Sequence, residues 1–519
     1  MLDLKIIDGM VFDGLGTEGR RADVGIKHDR IADVGDLSVA EAEETIDASG
    51  QYVCPGFIDA HSHSDTYLII EPSAHSKIYQ GITTEVVGNC GASGAPLHGD
   101  YRMPSDWGDK TYPGAWCTVA EYREQLETAQ PGPNTYLLIG HNTLRAGSMG
   151  YDDRRAAPDE LELMKKRLRQ SLEEGGRGLS TGLVYLPGLF APAEEVIELA
   201  RILPEFDGIY TSHMRSESSR LLEAIDETVA VGREAGCRVQ VSHLKATGRD
   251  NWHLVDAALE RIRSARDAGL EVASDRYPYT ASNTDLDVIF PGWVFDGGRD
   301  AAIAHLRSES GRSRIREALL KEHDEDYWGT ITIGSTSHPD NADFKGKPLL
   351  EVARRLDLDP VDAALYLTDS DELKTGAFFF GMSEENMWKI LAEPYVMFGS
   401  DASLRAPCGP LSHDHPHPRA YGSMVKFLRA ALDGRTVGFS EAVRKSTSLP
   451  AEQFRMKDRG ILAAGKMADI VALEPASLND RSDYEQPHQL SEGIQHVIVN
   501  GIPTLSKGEL TGRRAGRML

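Results

Sequence analysis

Cysteine is scarce in this chain: there are five in 519 residues, at Cys54, Cys90, Cys117, Cys237 and Cys408. An odd number spread so widely does not make a disulfide framework, so each is read as a free thiol or a ligand. Long apolar runs are missing too, and nothing approaches the roughly 20 residues that a bilayer span requires. Basic residues are in deficit, with 56 Lys and Arg against 80 Asp and Glu, a formal net charge of -24. A phosphate backbone or an anionic membrane is therefore a poor partner, which sets aside nucleic-acid and membrane readings. The start, Met1-Leu2-Asp3-Leu4-Lys5-Ile6-Ile7-Asp8, has no basic segment followed by an apolar one. No secretory signal is read there, and cytoplasmic residence is the expectation.

What is present is the composition of a soluble globular protein, 40% apolar and 26% charged, long enough for two or three structural units. Short alternating runs such as Leu4-Lys5-Ile6-Ile7 and Asp23-Val24-Gly25-Ile26, punctuated by Asp13-Gly14 and Gly35, suit small twisted strands. Ala468-Asp469-Ile470-Val471-Ala472-Leu473 and His496-Val497-Ile498-Val499-Asn500-Gly501 read the same way. The two ends, 1–54 and 456–519, are expected to build one small β-sandwich domain together.

Between them, apolar strands ending in polar residues alternate with amphipathic helices, as a parallel α/β architecture requires. Eight such strands are read, at 57–63, 83–90, 135–141, 177–183, 208–213, 238–243, 271–275 and 396–401. Eight parallel strands predict a (β/α)8 TIM barrel over 55–455. Leu161, Met164, Leu168 and Leu172, and then Leu221, Ile225 and Val229, supply helical faces between them. The gap from Asp275 to Val396 is too long for one crossover, so an insertion is expected at about 283–345, before the last strand.

Chemistry concentrates where strands end. His61 and His63, two positions apart on one strand, point to the same face and can reach one metal. Cys90, His213, His243 and Asp401 each end a separate expected strand, at the edge where barrel enzymes build their sites. Imidazole and thiolate are good zinc ligands, and a carboxylate beside a metal-activated water can take its proton and pass it on. A cysteine can also bridge two metal positions, so a second, weaker zinc is compatible with the set. Other residues get blander readings. His75, His98 and His141 lie outside the set, His413, His415 and His417 belong to a Pro-broken loop, and the four remaining cysteines read as incidental or buried thiols.

With Pro55-Gly56-Phe57-Ile58-Asp59-Ala60-His61-Ser62-His63, the two single histidines, Gly399-Ser400-Asp401 and the tail from Arg459-Gly460 to Ala468-Asp469, the chain resembles the amidohydrolase superfamily. Within it, the chain is most similar to the N-acyl-D-amino-acid deacylases, or D-aminoacylases. That resemblance runs through Gly88-Asn89-Cys90-Gly91, Ser180-Thr181-Gly182-Leu183-Val184-Tyr185, Thr211-Ser212-His213-Met214-Arg215 and Ser242-His243-Leu244-Lys245. Tyr277-Pro278-Tyr279 and His417-Pro418-Arg419 extend it along nearly the whole chain.

The resemblance implies one zinc on Cys90, His213 and His243, a looser site on His61, His63 and Cys90, and Asp401 as general base and acid. It implies Tyr185 near the scissile carbonyl, and Lys245, Tyr277 and Arg419 around the substrate carboxylate. Cys90 stands where many binuclear relatives carry a carboxylated lysine, which separates the chain from dihydroorotase-like enzymes. Two departures border the expected pocket: Ser282-Asn283 replaces the usual Gly-Ser after Tyr-Pro-Tyr, and the loop from Asp401 to Arg419 is long. The implied activity is zinc-dependent hydrolysis of small N-acyl-D-amino acids. Cyclic amide or imide hydrolysis is the alternative enzyme reading, and a metal-free scaffold the non-enzymatic one. A homo-oligomer stays open.

Overall fold

The computed structural model describes residues 1–519, with the side chain of Ser105 outside the description. Its centre is eight short parallel strands: Phe57–Asp59, Ile82–Val87, Asn134–Leu137 continued by Ile139–Gly140, Gly178–Gly182, Ile209–His213, Arg238–Val241, Val272–Arg276 and Val396–Phe398. Each pairs in parallel with the next, the third giving its first half to the second strand and its second half to the fourth. The ring closes where Ser62 bridges Ala402 and the Asp401 N–H donates to the His61 carbonyl at 2.8 Å. The eight strands expected from the sequence are those of this α/β barrel.

Strands such as Ile82–Val87 are buried along their whole length, because helices cover the outer face while side chains fill the inside. The helix Pro158–Glu173 opens on a proline, whose missing N–H costs nothing there, and buries Met164, Leu168 and Leu172. Leu221–Ala235 buries Leu221, Ile225 and Val229 and stops at Gly236, which turns the chain at φ +68°. Among the described residues no helix is long and apolar enough to cross a membrane.

Both ends of the chain join one nine-stranded sheet. Leu2–Val11 pairs antiparallel with Arg20–Lys27 and parallel first with Ala42–Asp47, then with Tyr52–Pro55. Tyr52–Pro55 in turn takes the C-terminal strand Ile470–Leu473 antiparallel and runs on into the first barrel strand.

Between the seventh and eighth barrel strands lies a three-stranded antiparallel sheet, Ser282–Asp285 and Ile331–Ile333 flanking Gly376–Phe379. Helices Arg299–Arg307, Glu309–Glu322, Leu349–Leu356 and Pro360–Ser370 close a separate apolar core around Ile315, Leu319, Ile331, Val352 and Leu365. The boundary expected at 345 is therefore too early: the central strand of this sheet comes after it, and the unit runs to 379.

Candidate metal centre

The site is assembled by the turns that follow the barrel strands. Three of its residues have left-handed backbones, Cys90 at φ +52°, His243 at φ +35° and Asp401 at φ +51°. Non-glycine residues adopt this region at a cost, and that cost is met most often where a side chain must be aimed at a site. Gly88 makes the Cys90 turn feasible. Its φ is +78°, and a Cβ at this position would lie only 2.0 Å from the Leu138 carbonyl oxygen, so no larger residue fits there.

Cys90 is the hub. Its Sγ lies 3.3 Å from His61 Nε2 and 3.4 Å from His243 Nε2. His61, Cys90, His243 and Asp401 place one ligand atom each within 4.8 Å of one another, all buried. His63 reaches the same carboxylate, its Nε2 3.1 Å from Asp401 Oδ1, with His61 Nε2 at 3.5 Å. The His213 ring packs against that of His243 at 4.4 Å, and its Nδ1 is buried with no hydrogen-bond partner. Burial would push the Cys90 thiol up, but His61, His243 and His63 hold it well below its ordinary value, so the thiolate is favoured. A thiolate, converging imidazoles and an orphaned imidazole nitrogen in a closed pocket are the donors that zinc takes, and the residues fit such an ion.

Sequence reasoning missed the residues behind the donors. Glu217, four positions beyond His213, sets its Oε1 2.9 Å from His243 Nδ1 and also accepts from Lys245 Nζ at 2.5 Å. Lys245 Nζ lies 2.8 Å from the same Nδ1, so carboxylate and ammonium together hold that edge of the ring while Nε2 faces Cys90. Burial raises the Glu217 pKa, yet Lys245, His213 and His243 keep the carboxyl well below the carboxylate range. Asp275 lies 3.2 Å from His61 Nδ1 and accepts the backbone N–H of His243 at 2.9 Å. A fully buried Lys77 ties Asp59, at 2.8 Å, to Ser400 Oγ at 3.1 Å and the Ala402 carbonyl at 2.9 Å, joining the strand ends that carry His61 and Asp401. Acidic and basic residues are common in loops, so without burial nothing in the sequence marks these.

Asp401 turns its other oxygen to Arg419 Nη1 at 2.6 Å. Against the effect of burial, Arg419, His243, His63 and His61 hold its carboxyl well below the ordinary range. The Tyr185 ring stands 4.9 Å from that of His213, and burial and the Cys90 charge raise its pKa well above 10, so its hydroxyl keeps its proton. Asn142 fixes the turn, donating to the Gly182 and Tyr185 carbonyls at 3.0 and 3.1 Å.

Tyr277 is fully buried under Arg419, whose guanidinium carbon is 4.8 Å from the ring centre, with Lys245 Nζ at 6.0 Å. Arg419 Nη2 donates to the Asn283 carbonyl at 3.3 Å, so the Ser282-Asn283 departure touches it directly. His141 is buried against Glu195 at 2.9 Å, apart from the cluster. The long loop is latched by His417, whose Nε2 lies 3.1 Å from both the Ala281 carbonyl and the Tyr484 hydroxyl.

Comparison with known proteins identifies the family. The amidohydrolase family model matches residues 44–284 and 391–504. An N-acyl-D-glutamate deacylase of Alcaligenes xylosoxydans xylosoxydans is 37% identical over 523 residues, 100% of this chain and 96% of the relative. A D-aminoacylase of the same organism is 35% identical over 520 residues, 100% of this chain and 97% of the relative. The crystal structure of N-acyl-D-glutamate deacylase from Bordetella bronchiseptica, with zinc and a phosphonate mimic of the tetrahedral intermediate, superposes with TM-score 0.86 at 34% identity. It covers 100% of this chain and 99% of that one. Fold and relatives together define a metal-dependent hydrolase. The chain belongs to the amidohydrolase family, among its N-acyl-D-amino-acid deacylases.

Proposed function

We propose that this protein hydrolyses the amide bond of N-acyl-D-amino acids with zinc, giving a carboxylate and a free D-amino acid. The observation that carries the reading is the Cys90 cluster: a buried thiol meeting His61 and His243, with the Asp401 carboxylate against the same histidines. Cys90, His213 and His243 would hold one zinc, and His61 and His63 would share Cys90 in a second, weaker position. When bound, zinc supplies a Lewis acid for the carbonyl and makes water a nucleophile near neutral pH.

The remaining work falls to side chains. Asp401, ionised at neutral pH, takes the water proton on Oδ1 and returns it to the departing nitrogen, which could not leave as an anion. Tyr185 donates its retained hydroxyl proton to the carbonyl oxygen as charge develops there. Lys245, Tyr277 and Arg419 receive the substrate carboxylate through charge-assisted hydrogen bonds.

The same reading covers the rest of the chain. The terminal sheet folds as a small sandwich around Leu4, Ile6, Val24, Ile26, Ile470 and Ile498. It is formed by 1–54 and 456–519 and flanks the hydrolase barrel of 55–455. The partner is a small molecule, and the setting is cytoplasmic. The test is amine release by zinc-loaded protein from N-acetyl D- and L-amino acids, with dihydroorotate and hydantoins alongside. Release from D-substrates is expected. Silence there with ring opening elsewhere moves the protein to cyclic amides.

A further inference from the structure

Five arginines are almost wholly buried: Arg145, Arg238, Arg276, Arg419 and Arg459. Four pair with carboxylates, those of Glu195, Asp207, Asp401 and Asp469. Among the described residues Arg276 has no such partner. Its Nη2 donates to the Tyr279 carbonyl at 2.9 Å and lies 3.1 Å from Met382 Sδ, while Nε and Nη1 are buried with no acceptor. A buried guanidinium without a counter-charge is costly, and few proteins leave one without reason. Burial depresses its pKa, whereas Asp401 holds that of Arg419 up.

The surroundings indicate where a counter-charge would come from. Arg276 ends the seventh barrel strand, and its guanidinium carbon stacks 4.1 Å from the Tyr277 ring centre. The same ring meets Arg419 at 4.8 Å and Lys245 at 6.0 Å. Of these three cations, Arg419 is matched by Asp401 and Lys245 by Glu217. Arg276 remains, beside the tyrosine assigned above to the substrate.

We propose that Arg276 is a specificity-determining residue that takes the side-chain carboxylate of an acidic substrate, so that N-acyl-D-aspartate or N-acyl-D-glutamate is preferred to neutral N-acyl-D-amino acids. The inference rests on the deacylase reading and names the substrates it leaves open. A charged group that meets its partner out of water is worth roughly ten- to hundredfold in kcat/KM over its neutral amide isostere.

The test uses zinc-loaded full-length enzyme with N-acetyl-D-aspartate, N-acetyl-D-glutamate, the matching asparagine and glutamine derivatives, and N-acetyl-D-leucine. The acid-over-amide ratio of kcat/KM is expected to exceed ten in the natural protein for one of the two side-chain lengths. It should fall to near one in Arg276→Met and to an intermediate value in Arg276→Lys, which keeps the charge without the planar fork. A ratio near one in the natural protein overturns the proposal whatever the variants do. So does an unchanged ratio in Arg276→Met or, should that variant not fold, in Arg276→Lys. Release from neutral D-substrates with no acid preference defeats this inference alone; no release from any N-acyl-D-amino acid defeats the deacylase reading and this inference with it.

Discussion

Glu217 Oε1 lies 2.9 Å from His243 Nδ1, on the side of the imidazole opposite the nitrogen that faces Cys90. The carboxylate, with Lys245 Nζ 2.8 Å from the same nitrogen, thus fixes the ring orientation that turns the far nitrogen to a metal. Glu217→Ala is expected to weaken zinc binding about 10- to 100-fold. Glu217→Gln, which keeps an acceptor oxygen, should lose less. Chelator competition at fixed pH reads the affinity directly, and equal retention in both variants and the natural protein would dismiss the role.

Asp401 carries two duties in its two oxygens, one towards His63 and His61, the other bound by Arg419 at 2.6 Å. Asp401→Asn keeps the shape and removes the proton acceptor. Turnover of N-acyl-D-substrate is expected to fall by about 10²- to 10⁴-fold, with zinc content unchanged. Steady-state rates and metal analysis on the same sample check both halves. Retained turnover would put the base elsewhere.

How much of the molecule is legible in its sequence follows from residue chemistry. His61, His63, Cys90, His213, His243 and Asp401 stand out because histidine and cysteine are rare and each falls at a strand end, and the structure brings all six together. The eight barrel strands are visible because parallel strands buried on both faces are short unbroken apolar runs. Glu217, Asp275, Lys77 and Arg276 are not visible. Their residue types usually sit in solvent, and only the fold reveals that Asp275, Lys77 and Arg276 are buried and Glu217 largely so. The insertion extends further than the sequence suggests because Gly376–Phe379 is four residues long and comes after two helices, although its partners Ser282–Asp285 and Ile331–Ile333 lie far earlier.

Lys77 sits between Asp59 and Glu85, at 2.8 and 3.6 Å, with all three side chains fully buried. Burial lowers the ammonium pKa, but the two carboxylates more than offset it and hold the group above its ordinary value. Lys77→Met removes the one cation between two buried acids. Breaking a buried pair in this way costs about 3–5 kcal/mol, because the partner charge is left uncompensated. Denaturant unfolding should show a loss of stability of that size, read as a lower midpoint at unchanged slope. A shift under about 1 kcal/mol, the range of surface ion pairs, would mean that the network is not electrostatically coupled.

Lys445 is the opposite case, a buried amine held by carbonyls. Its Nζ donates to the Val396 carbonyl at 2.9 Å and to that of Glu393, where the last barrel strand begins. Burial pushes its pKa down from 10.5 to about 8. Between those values the unfolded chain binds a proton that the folded one does not, so this residue's contribution to stability rises with pH across the window and is flat below it. The natural protein should gain stability relative to Lys445→Met between pH 8 and pH 10.5, by up to about 3 kcal/mol. Paired denaturation curves at pH 7 and pH 10 isolate the effect, since every other titrating group is shared. A difference that stays constant, or that falls as pH rises, would show that Lys445 keeps its proton in the folded state.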